Sequence, residues 1–164
     1  MIWNDIKLKE WAENGGMDPF DPESINPASI DLRLGYHIRY PKEEGWSDPI
    51  GTDKAPWVIY PGQIVLLHTL EFTKIPVNAV ALLFLKSTAG RNGLEHLHAG
   101  YGDPGFHGQW TLEIINHWPY PKYLNPLMKL VHLVLVDSCQ PEVEYSLVGH
   151  YQNQIGSTKP WLIV

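Results

Sequence analysis

Two acids lie ten residues apart within residues 103–116, DPGFHGQWTLEIIN. Asp103 precedes a proline and a glycine, a pattern that indicates a turn. Glu113 lies in a β-forming run between the apolar residues Leu112 and Ile114. A carboxyl sheltered from water is suited to exchange protons near neutral pH. Both acids are therefore candidates for general acid–base catalysis, with a plain turn residue and a solvent-facing strand residue as the alternatives.

A second group with chemical potential is KSTAGRNGL, residues 86–94, which follows the apolar run VALLFL. Lys86 and Arg91 supply cations, Ser87 supplies a hydroxyl, and the turn supplies backbone amides. This combination suits a chain of phosphates. The alternative is a helix capped by Ser87 with a solvated arginine.

Histidines form a third group in EHLHAGYGDPGFH, residues 95–107. His96 and His98 have strand spacing, which places them on one face, and His107 follows a turn. Such a set resembles a cupin-type metal site. However, the glutamate that a cupin carries a few residues after its His-x-His pair is missing at that position. Histidines that pack as polar core residues are the alternative. The single Cys139 excludes an internal disulfide and a multi-cysteine metal site.

The fourth group is YSLVGHYQNQIGST, residues 145–158, which is rich in hydrogen-bond donors. It is either an ordinary polar tail or a flap that closes over a ligand. The last residues are apolar, so we expect them to dock.

The elements that must position these groups are mostly strands. Residues 4–16 predict a short helix, capped by Asn4 or Asp5 and ended by Gly15 and Gly16. From Ser29 a period-two pattern continues to Tyr40, and residues 42–56 read as an exposed connection. Further strands are predicted at residues 57–61, 63–72, 79–85, 110–116 and 129–137. Their spacing indicates an all-β sandwich or barrel.

Composition sets the outer bounds. A chain of 164 residues suits one domain, and 14 prolines with 14 glycines favour short strands. A net charge of −6 gives no sign of a nucleic-acid partner. We find no window of the roughly 18 apolar residues that a membrane span needs. The N-terminus carries charges where a signal peptide needs an apolar core. We therefore expect a soluble protein of a reducing, cytoplasmic compartment.

Four motifs together carry a family resemblance: INPASIDLRLG, KSTAGR, HAGYGDPGFHGQWTLEIIN and GHYQNQIGST, in this order. In them the sequence resembles the dCTP deaminase family of the dUTPase-like superfamily. The compact length and the NPASIDLRLG opening resemble members carried by bacteriophages, which would act in the host cytoplasm. The resemblance implies a single domain over residues 1–164, folded as a distorted, jelly-roll-like β-barrel with a short N-terminal helix. It also implies a homotrimer with active sites between subunits and a deoxynucleoside triphosphate whose phosphates, rather than protein ligands, hold Mg²⁺.

The resemblance assigns roles to particular residues. Glu113 matches the catalytic glutamate, and Ser87 and Arg91 match residues that organise the phosphates and the attacking water. Asp103 matches the acid that holds the deoxyribose hydroxyl and that, in diphosphatase relatives, helps to activate water. The resemblance also implies that a tail segment of about residues 145–164 closes over the site. Further substrate contacts are implied for residues of the KSTAGR loop, of the strand backbone and of this tail: Lys86, Thr88, Ala89, Gly90, Ala99, Thr111, Leu112, Tyr145, His150, Tyr151 and Gln154.

The chemistry implied is addition of water to C4 of cytosine with loss of ammonia. Zinc-dependent deaminases need a set of cysteines that one Cys139 cannot supply, so a carboxyl shuttle at Glu113 is expected to move the protons. A carboxylate also accepts a hydrogen bond from the 4-amino group of cytosine, which favours dCTP over dUTP. We predict a dCTP deaminase that makes dUTP. A dUTP or dCTP diphosphatase, a bifunctional dUMP-forming enzyme and a non-catalytic nucleotide-binding trimer, with dTTP as a further ligand, are the alternatives.

Three positions depart from the family pattern. His150 stands where lysine is usual, His98 replaces a small polar residue, and residues 156–158 read Gly-Ser-Thr rather than Gly-Pro-Thr. We expect these changes to weaken nucleotide affinity, to admit a modified pyrimidine or to shift the activity towards diphosphatase chemistry.

Overall fold

The N-terminal helix forms where the sequence predicts it. In the computed structural model, which describes residues 1–161, α1 spans Asp5–Trp11, and the Asn4 side chain accepts a hydrogen bond from the Lys7 N–H at 3.1 Å. The chain continues through a wide turn at Ala12–Gly16. Gly15 adopts φ +85°, a left-handed conformation that favours glycine, and ends the helix.

The rest of the described chain is built from short strands, two further short helices, α2 (Ser87–Arg91) and α3 (Tyr145–Val148), and 3₁₀ turns at Pro22–Ser24 and Thr52–Lys54. None of the helices within residues 1–161 has the length and apolar character needed to cross a membrane. The strands of this part of the chain are β1 (Met17–Asp18), β2 (Ile25–Asn26), β3 (Ser29–Arg33), β4 (Pro41–Lys42), β5 (Gly45–Trp46), β6 (Trp57–Ile59), β7 (Ile64–His68), β8 (Phe72–Lys74), β9 (Ala79–Leu85), β10 (Leu94–His96), β11 (Tyr101–Gly102), β12 (His107–Gly108), β13 (Thr111–Asn116), β14 (Lys122–Leu124) and β15 (Lys129–Asp137).

The strands pair antiparallel in several small sheets. The largest has the order β11-β9-β15-β3-β2, with β15 central between β9 and β3. A second has the order β10-β13-β7, and a third the order β1-β8-β12. Two two-stranded sheets complete the arrangement: β14 pairs with the distant β6, and β4 forms a hairpin with β5. The prediction of a mostly β fold with a short N-terminal helix is therefore confirmed.

Alternating burial along the strands forms the core. In β13, Leu112 and Ile114 have no exposed surface, and in β15 the same holds for Leu133 and Leu135. Burying such a side chain fully contributes roughly 1.5–3 kcal/mol relative to leaving it in water. This burial fixes the orientation of β13 and leaves its other face, which carries Glu113, directed away from the core.

Two strands predicted as continuous are interrupted. The alternation from residue 29 to residue 40 gives a strand only to Arg33, because Gly35 packs against the His68 ring so closely that a Cβ would lie 2.0 Å from His68 Cε1. The predicted strand at residues 63–72 divides into β7 and β8 around Glu71, whose fully buried side chain pairs with Arg33 Nε at 2.6 Å. Each break follows from a contact between distant residues.

Candidate active site

The stretch DPGF forms the turn that positions Asp103. The Phe106 N–H donates to the Asp103 carbonyl at 3.0 Å, and Gly105 adopts φ +86°. Proline followed by a left-handed glycine is the signature of a type II turn. Gly102, directly before the acid, lies under the Trp110 ring, where a Cβ would lie 2.2 Å from the ring edge. The turn and this close approach together hold Asp103 at the wall of a cavity of about 390 Å³.

Glu113 reaches the same cavity from β13. Residues alternate along this strand, so that Thr111 and Glu113 share the half-exposed face while Leu112 lies in the core. Their side chains line the cavity. The neighbouring strand β10 ends at His96, and the next residue, Leu97, donates its N–H to the Glu113 carbonyl at 3.0 Å. The edge of β13 at Thr111 therefore extends past its partner strand towards the cavity.

The carboxylate of Glu113 has one sheltered oxygen. Its Oε2 lies 3.4 Å from Nε2 of His96, and the two side chains are 26% and 4% exposed. Both atoms are buried, and among residues 1–161 neither has a hydrogen-bond partner. The carboxyl group of Glu113 is thus only partly shielded from water. It lies beside the His96 ring without forming a hydrogen bond to it.

The C-terminal segment, residues 145–161, lies along the DPGF turn and the start of β13. Gln109 and Gln154 exchange hydrogen bonds, with the Gln109 N–H donating to the Gln154 carbonyl at 3.0 Å and Gln154 Nε2 donating to the Gln109 carbonyl at 2.7 Å. The Thr158 N–H donates to Thr111 Oγ1 at 3.0 Å. These hydrogen bonds hold the tail in place, so that it forms one wall of the cavity.

Ser157 anchors the tail to the loop that follows β3. Its N–H donates to His37 Nε2 at 3.1 Å, and its carbonyl accepts from Arg39 Nε at 2.8 Å. Burial, together with the charge of Arg39, lowers the pKa of His37. A neutral imidazole is the form that can accept the Ser157 N–H, so the environment of His37 favours the docked tail.

The cavity brings together many of the predicted residues. From the body of the fold come Ala99, Asp103, Thr111 and Glu113. From the tail come Tyr145, Tyr151 and Gln154. The predicted last residues of the tail, 162–164, lie outside the described residues.

Sequence reasoning missed several residues of this cavity. Trp46 lies in the segment predicted as an exposed connection, yet it belongs to β5, the second strand of the β4–β5 hairpin, and lines the cavity. Lys159 and Thr158 also line it. The signal available for Lys159 was its position directly after the Gly-Ser-Thr motif, where it adds a cation to a segment that otherwise has only His150.

Another set of predicted residues lies elsewhere in this chain. Ser87, Thr88, Gly90 and Arg91 are exposed on α2, and none of them lines the cavity. Ala89 is buried beneath the helix.

Lys86, the residue before α2, forms an ion pair with the buried Asp31. Ser87 begins the helix rather than capping it, because Lys86 occupies the cap position without a side-chain capping bond. The interpretation of Ser87 as a helix cap is therefore wrong by one residue.

Leu112 and His150 have surroundings that limit their roles. The Leu112 side chain has no exposed surface, so only its backbone is available for contact with a base. His150 is exposed and stacks on Trp161, with ring centroids 4.6 Å apart and planes inclined by 16°.

The expectation that His96 and His98 share a face is wrong. The side chain of His98 is 96% exposed, whereas that of His96 is buried against Glu113. The strand ends between them, at His96, so strand spacing no longer applies. Within residues 1–161 there is no group of three or more His, Cys, Asp or Glu side chains placed to hold a metal ion.

The fold has relatives among solved structures. It is similar to a 2′-deoxycytidine 5′-triphosphate deaminase from Agrobacterium tumefaciens, with a TM-score of 0.69 and 19% identity over 82% of this chain and 47% of that chain. This chain thus spans about half the length of that one. It is also similar to a dUTPase of Staphylococcus bacteriophage 80alpha, with a TM-score of 0.54 and 14% identity over 78% and 93% of the two chains. The fold is therefore dUTPase-like.

The sequence gives the family within that fold. A sequence model described as dCTP deaminase-like matches residues 4–138, and the chain belongs to this family. Curated relatives named "dCTP deaminase, dUMP-forming" include those of Bifidobacterium longum, 36% identical over 94% of this chain and 89% of the relative, and Corynebacterium efficiens, 38% identical over 96% and 92%. A third, from Methanothermobacter thermautotrophicus, is 34% identical over 97% and 91%. The likeness to phage proteins rests on dUTPase folds alone, so a phage origin stays a prediction.

Proposed function

We propose that this protein deaminates dCTP, with Glu113 as the proton shuttle. The observation that carries the proposal is the cavity in which Glu113 and Asp103 lie together with the docked tail. The dUMP-forming dCTP deaminases that resemble the chain over nearly its whole length support the same substrate.

The reaction requires two proton transfers, and one carboxyl can perform both. In the first, water forms a bond to C4, the C4–N3 π pair moves to N3, and the proton of water passes through Glu113 to N3. In the second, the new hydroxyl proton passes through Glu113 to the amino nitrogen, the C4–N bond breaks and ammonia leaves with the electron pair. A carboxyl positioned for such transfers typically contributes a 10²–10⁴-fold acceleration.

Asp103 supports a second step that ends at dUMP. In the proposed step a water oxygen bonds to the α-phosphorus of dUTP and diphosphate leaves. Asp103 and Glu113 line the same cavity, so one bound nucleotide can contact both acids, and the resemblance assigns Glu113 to the base and Asp103 to the sugar. The names of the relatives favour dUMP as the end product, whereas the sequence alone favoured dUTP, which remains the second candidate.

Phosphate binding in this proposal requires a second copy of the chain. Ser87 and Arg91 lie on an exposed α2 away from the cavity of their own chain, which supports a homotrimer whose sites combine residues of two subunits. Lys159 adds a cation at the cavity. Mg²⁺ prefers substrate phosphates and water over an all-protein cage. Among residues 1–161, the acids that line the cavity are Asp103 and Glu113. This lining fits a Mg²⁺ ion that is carried by the triphosphate and neutralises part of the phosphate charge.

The product assay tests the proposal. Purified protein is incubated with dCTP or dUTP and Mg²⁺, nucleotides are resolved by chromatography, and ammonia is measured. We expect ammonia, dUMP and diphosphate from dCTP. Ammonia with dUTP alone would support the deaminase without the second step. Formation of dUMP from dUTP without ammonia from dCTP would indicate a diphosphatase, and binding without turnover would indicate a regulatory trimer.

Glu113→Gln tests the shuttle directly. The substitution keeps the size of the side chain but removes its ability to accept and return a proton, so ammonia release should fall by about 10²-fold or more while triphosphate binding is retained. Glu95→Gln, at a partly exposed acid that pairs with His117, is the matched control and should keep the parent rate. Deamination by Glu113→Gln at the parent rate would falsify the assignment.

A further inference from the structure

The contact between His96 and Glu113 is a polar feature of the site that the deamination scheme does not use. His96 is 7% exposed, and its Nε2 faces the buried Oε2 of the catalytic candidate at 3.4 Å. Neither atom has another partner among residues 1–161. A buried imidazole nitrogen without a partner destabilises the folded chain, and an apolar residue of similar size would avoid this cost.

The geometry makes the two oxygens of Glu113 unequal. Oε2 is enclosed against His96, while the side chain as a whole lines the cavity. In the tautomer with hydrogen on Nε2, the ring N–H of His96 faces Oε2 as its neighbouring acceptor. The separation of 3.4 Å exceeds the roughly 2.7–2.9 Å of a charge-assisted hydrogen bond, so the bond requires the carboxylate to turn towards His96 when substrate binds.

We propose that His96 is a positioning residue that holds Oε2 of Glu113, so that the shuttled proton is taken up and returned by Oε1, the oxygen on the substrate side. This role rests on the proposed deamination. When water gives its proton to Oε1, the Nε2–H of His96 holds Oε2 in place. The carboxyl group then cannot rotate and carry the proton away from the base. His96 itself neither gains nor loses a proton in the cycle.

The position of His96 explains why this residue can act without touching substrate. It is the last residue of β10, paired opposite Ile114 of β13, and its neighbour Leu97 is tied to the Glu113 backbone carbonyl. The backbone and the side chain of Glu113 are thus both held from the same strand end.

Two substitutions separate positioning from packing. His96→Leu removes the donor but keeps an apolar side chain in the buried space, and His96→Gln places an amide N–H near the position of Nε2. We expect His96→Leu to lower kcat for ammonia release by about 10-fold or more, the size of effect produced when the hydrogen-bond partner of a metal ligand is lost, while KM for dCTP changes less than about twofold. His96→Gln should recover most of kcat. His117→Gln, at an exposed histidine, is the control and should match the parent.

Equal losses in His96→Leu and His96→Gln, or no loss in either, would overturn the proposal. So would a loss in His96→Leu that appears as a raised KM together with a lower thermal unfolding temperature, because that pattern indicates packing.

A spectroscopic measurement decides the contact independently of turnover. In protein labelled with ¹⁵N-histidine, the ring nitrogens of His96 should report the Nε2–H tautomer, and their resonances should shift in Glu113→Gln but not in Glu95→Gln. An Nδ1–H tautomer, or resonances insensitive to Glu113→Gln, would overturn the role of His96. If the parent protein releases no ammonia while these resonances respond to Glu113, the proposed reaction fails and the coupling of the two side chains stands.

Discussion

Among single residues, His68 is a buried histidine whose pKa is far below its ordinary value. Its Nε2 accepts the Tyr36 N–H at 3.1 Å, and its Nδ1 pairs with the Thr69 carbonyl at 2.8 Å, which fixes the tautomer with hydrogen on Nδ1. A second proton would have to sit on Nε2, facing the Tyr36 N–H. Burial, with nearby His37 as the next cause, lowers the pKa of His68 to about 4 from an ordinary value of 6.5.

This shift predicts a loss of stability in acid. Below pH 6.5 the unfolded chain protonates His68, whereas the folded chain does so only near pH 4, so the unfolded state binds more protons in this window. The free energy of unfolding is therefore fully retained above about pH 6.5 and falls by roughly 3 kcal/mol towards pH 4 from this residue alone. Urea unfolding at one protein concentration, repeated from pH 7.5 to pH 4, measures this change in the free energy of unfolding.

The comparison for this prediction is His68→Gln, which offers an acceptor to Tyr36 but does not titrate. Its stability should fall less steeply with acid than that of the parent. His117→Gln, at an exposed position, should keep the parent slope. Parallel curves for the parent and His68→Gln would contradict the assignment.

The sequence could predict single residues where the signal is local. Asp103 and Glu113 stand out through the turn residues and the apolar neighbours beside them, and both line the cavity. Lys86 was expected at the phosphates, but its partner in this chain is Asp31, 55 positions away. No local pattern indicates such a partner, because the pairing depends on how β3 and the end of β9 come together.

At the level of elements, the tail is held to its own chain mostly by hydrogen bonds. Thr158 Oγ1 donates to Gln154 Oε1 at 2.6 Å and lies 3.0 Å from Thr111 Oγ1. Gly156 donates its N–H to Gln109 Oε1 at 2.6 Å, in a left-handed conformation with φ +73°. A Cβ on Gly156 would lie 2.5 Å from the His37 ring, so glycine is required here for two reasons.

Thr158→Val should loosen this docking without changing the shape of the side chain. It removes the hydroxyl bonds to Gln154 and Thr111, and a lost hydrogen bond of this kind corresponds to about a threefold to tenfold weaker interaction. If the tail closes over the nucleotide, KM for dCTP should rise by this factor while kcat changes less. Steady-state ammonia release measures both constants. Thr52→Val, on an exposed turn, is the matched control, and an unchanged KM in Thr158→Val would count against a closing tail.

Elements were predictable where one periodicity persists and a breaker ends it. The helix at α1 and the strands β9, β13 and β15 follow their apolar patterns closely. The pattern fails at Gly35, where alternation continues in the sequence but the chain turns around His68. It also fails at His98, since β10 ends two residues earlier. Both errors arise because strand ends are set by long-range packing.

At the level of the whole molecule, one chain holds two separated halves of the proposed site. Glu113 and Asp103 line the cavity with the tail, while Ser87 and Arg91 are exposed on α2 outside it. The same chain also exposes Phe84, an apolar side chain on β9 three residues before Ser87, where α2 begins. In a closed ring each subunit can offer its α2 to the cavity of a neighbour, which is the arrangement that heterologous interfaces produce.

Mixing two inactive variants tests this arrangement. Arg91→Ala lacks the phosphate half and Glu113→Gln lacks the shuttle, so each alone should release little ammonia from dCTP. When the two are coexpressed in equal amounts, random assembly pairs an intact Glu113 with a neighbour's intact Arg91 at about a quarter of the interfaces of a trimer. Ammonia release should therefore recover to about a quarter of the parent rate. If each site is complete within one chain, no subunit in the mixture carries both residues, and the activity stays at the level of the separate variants.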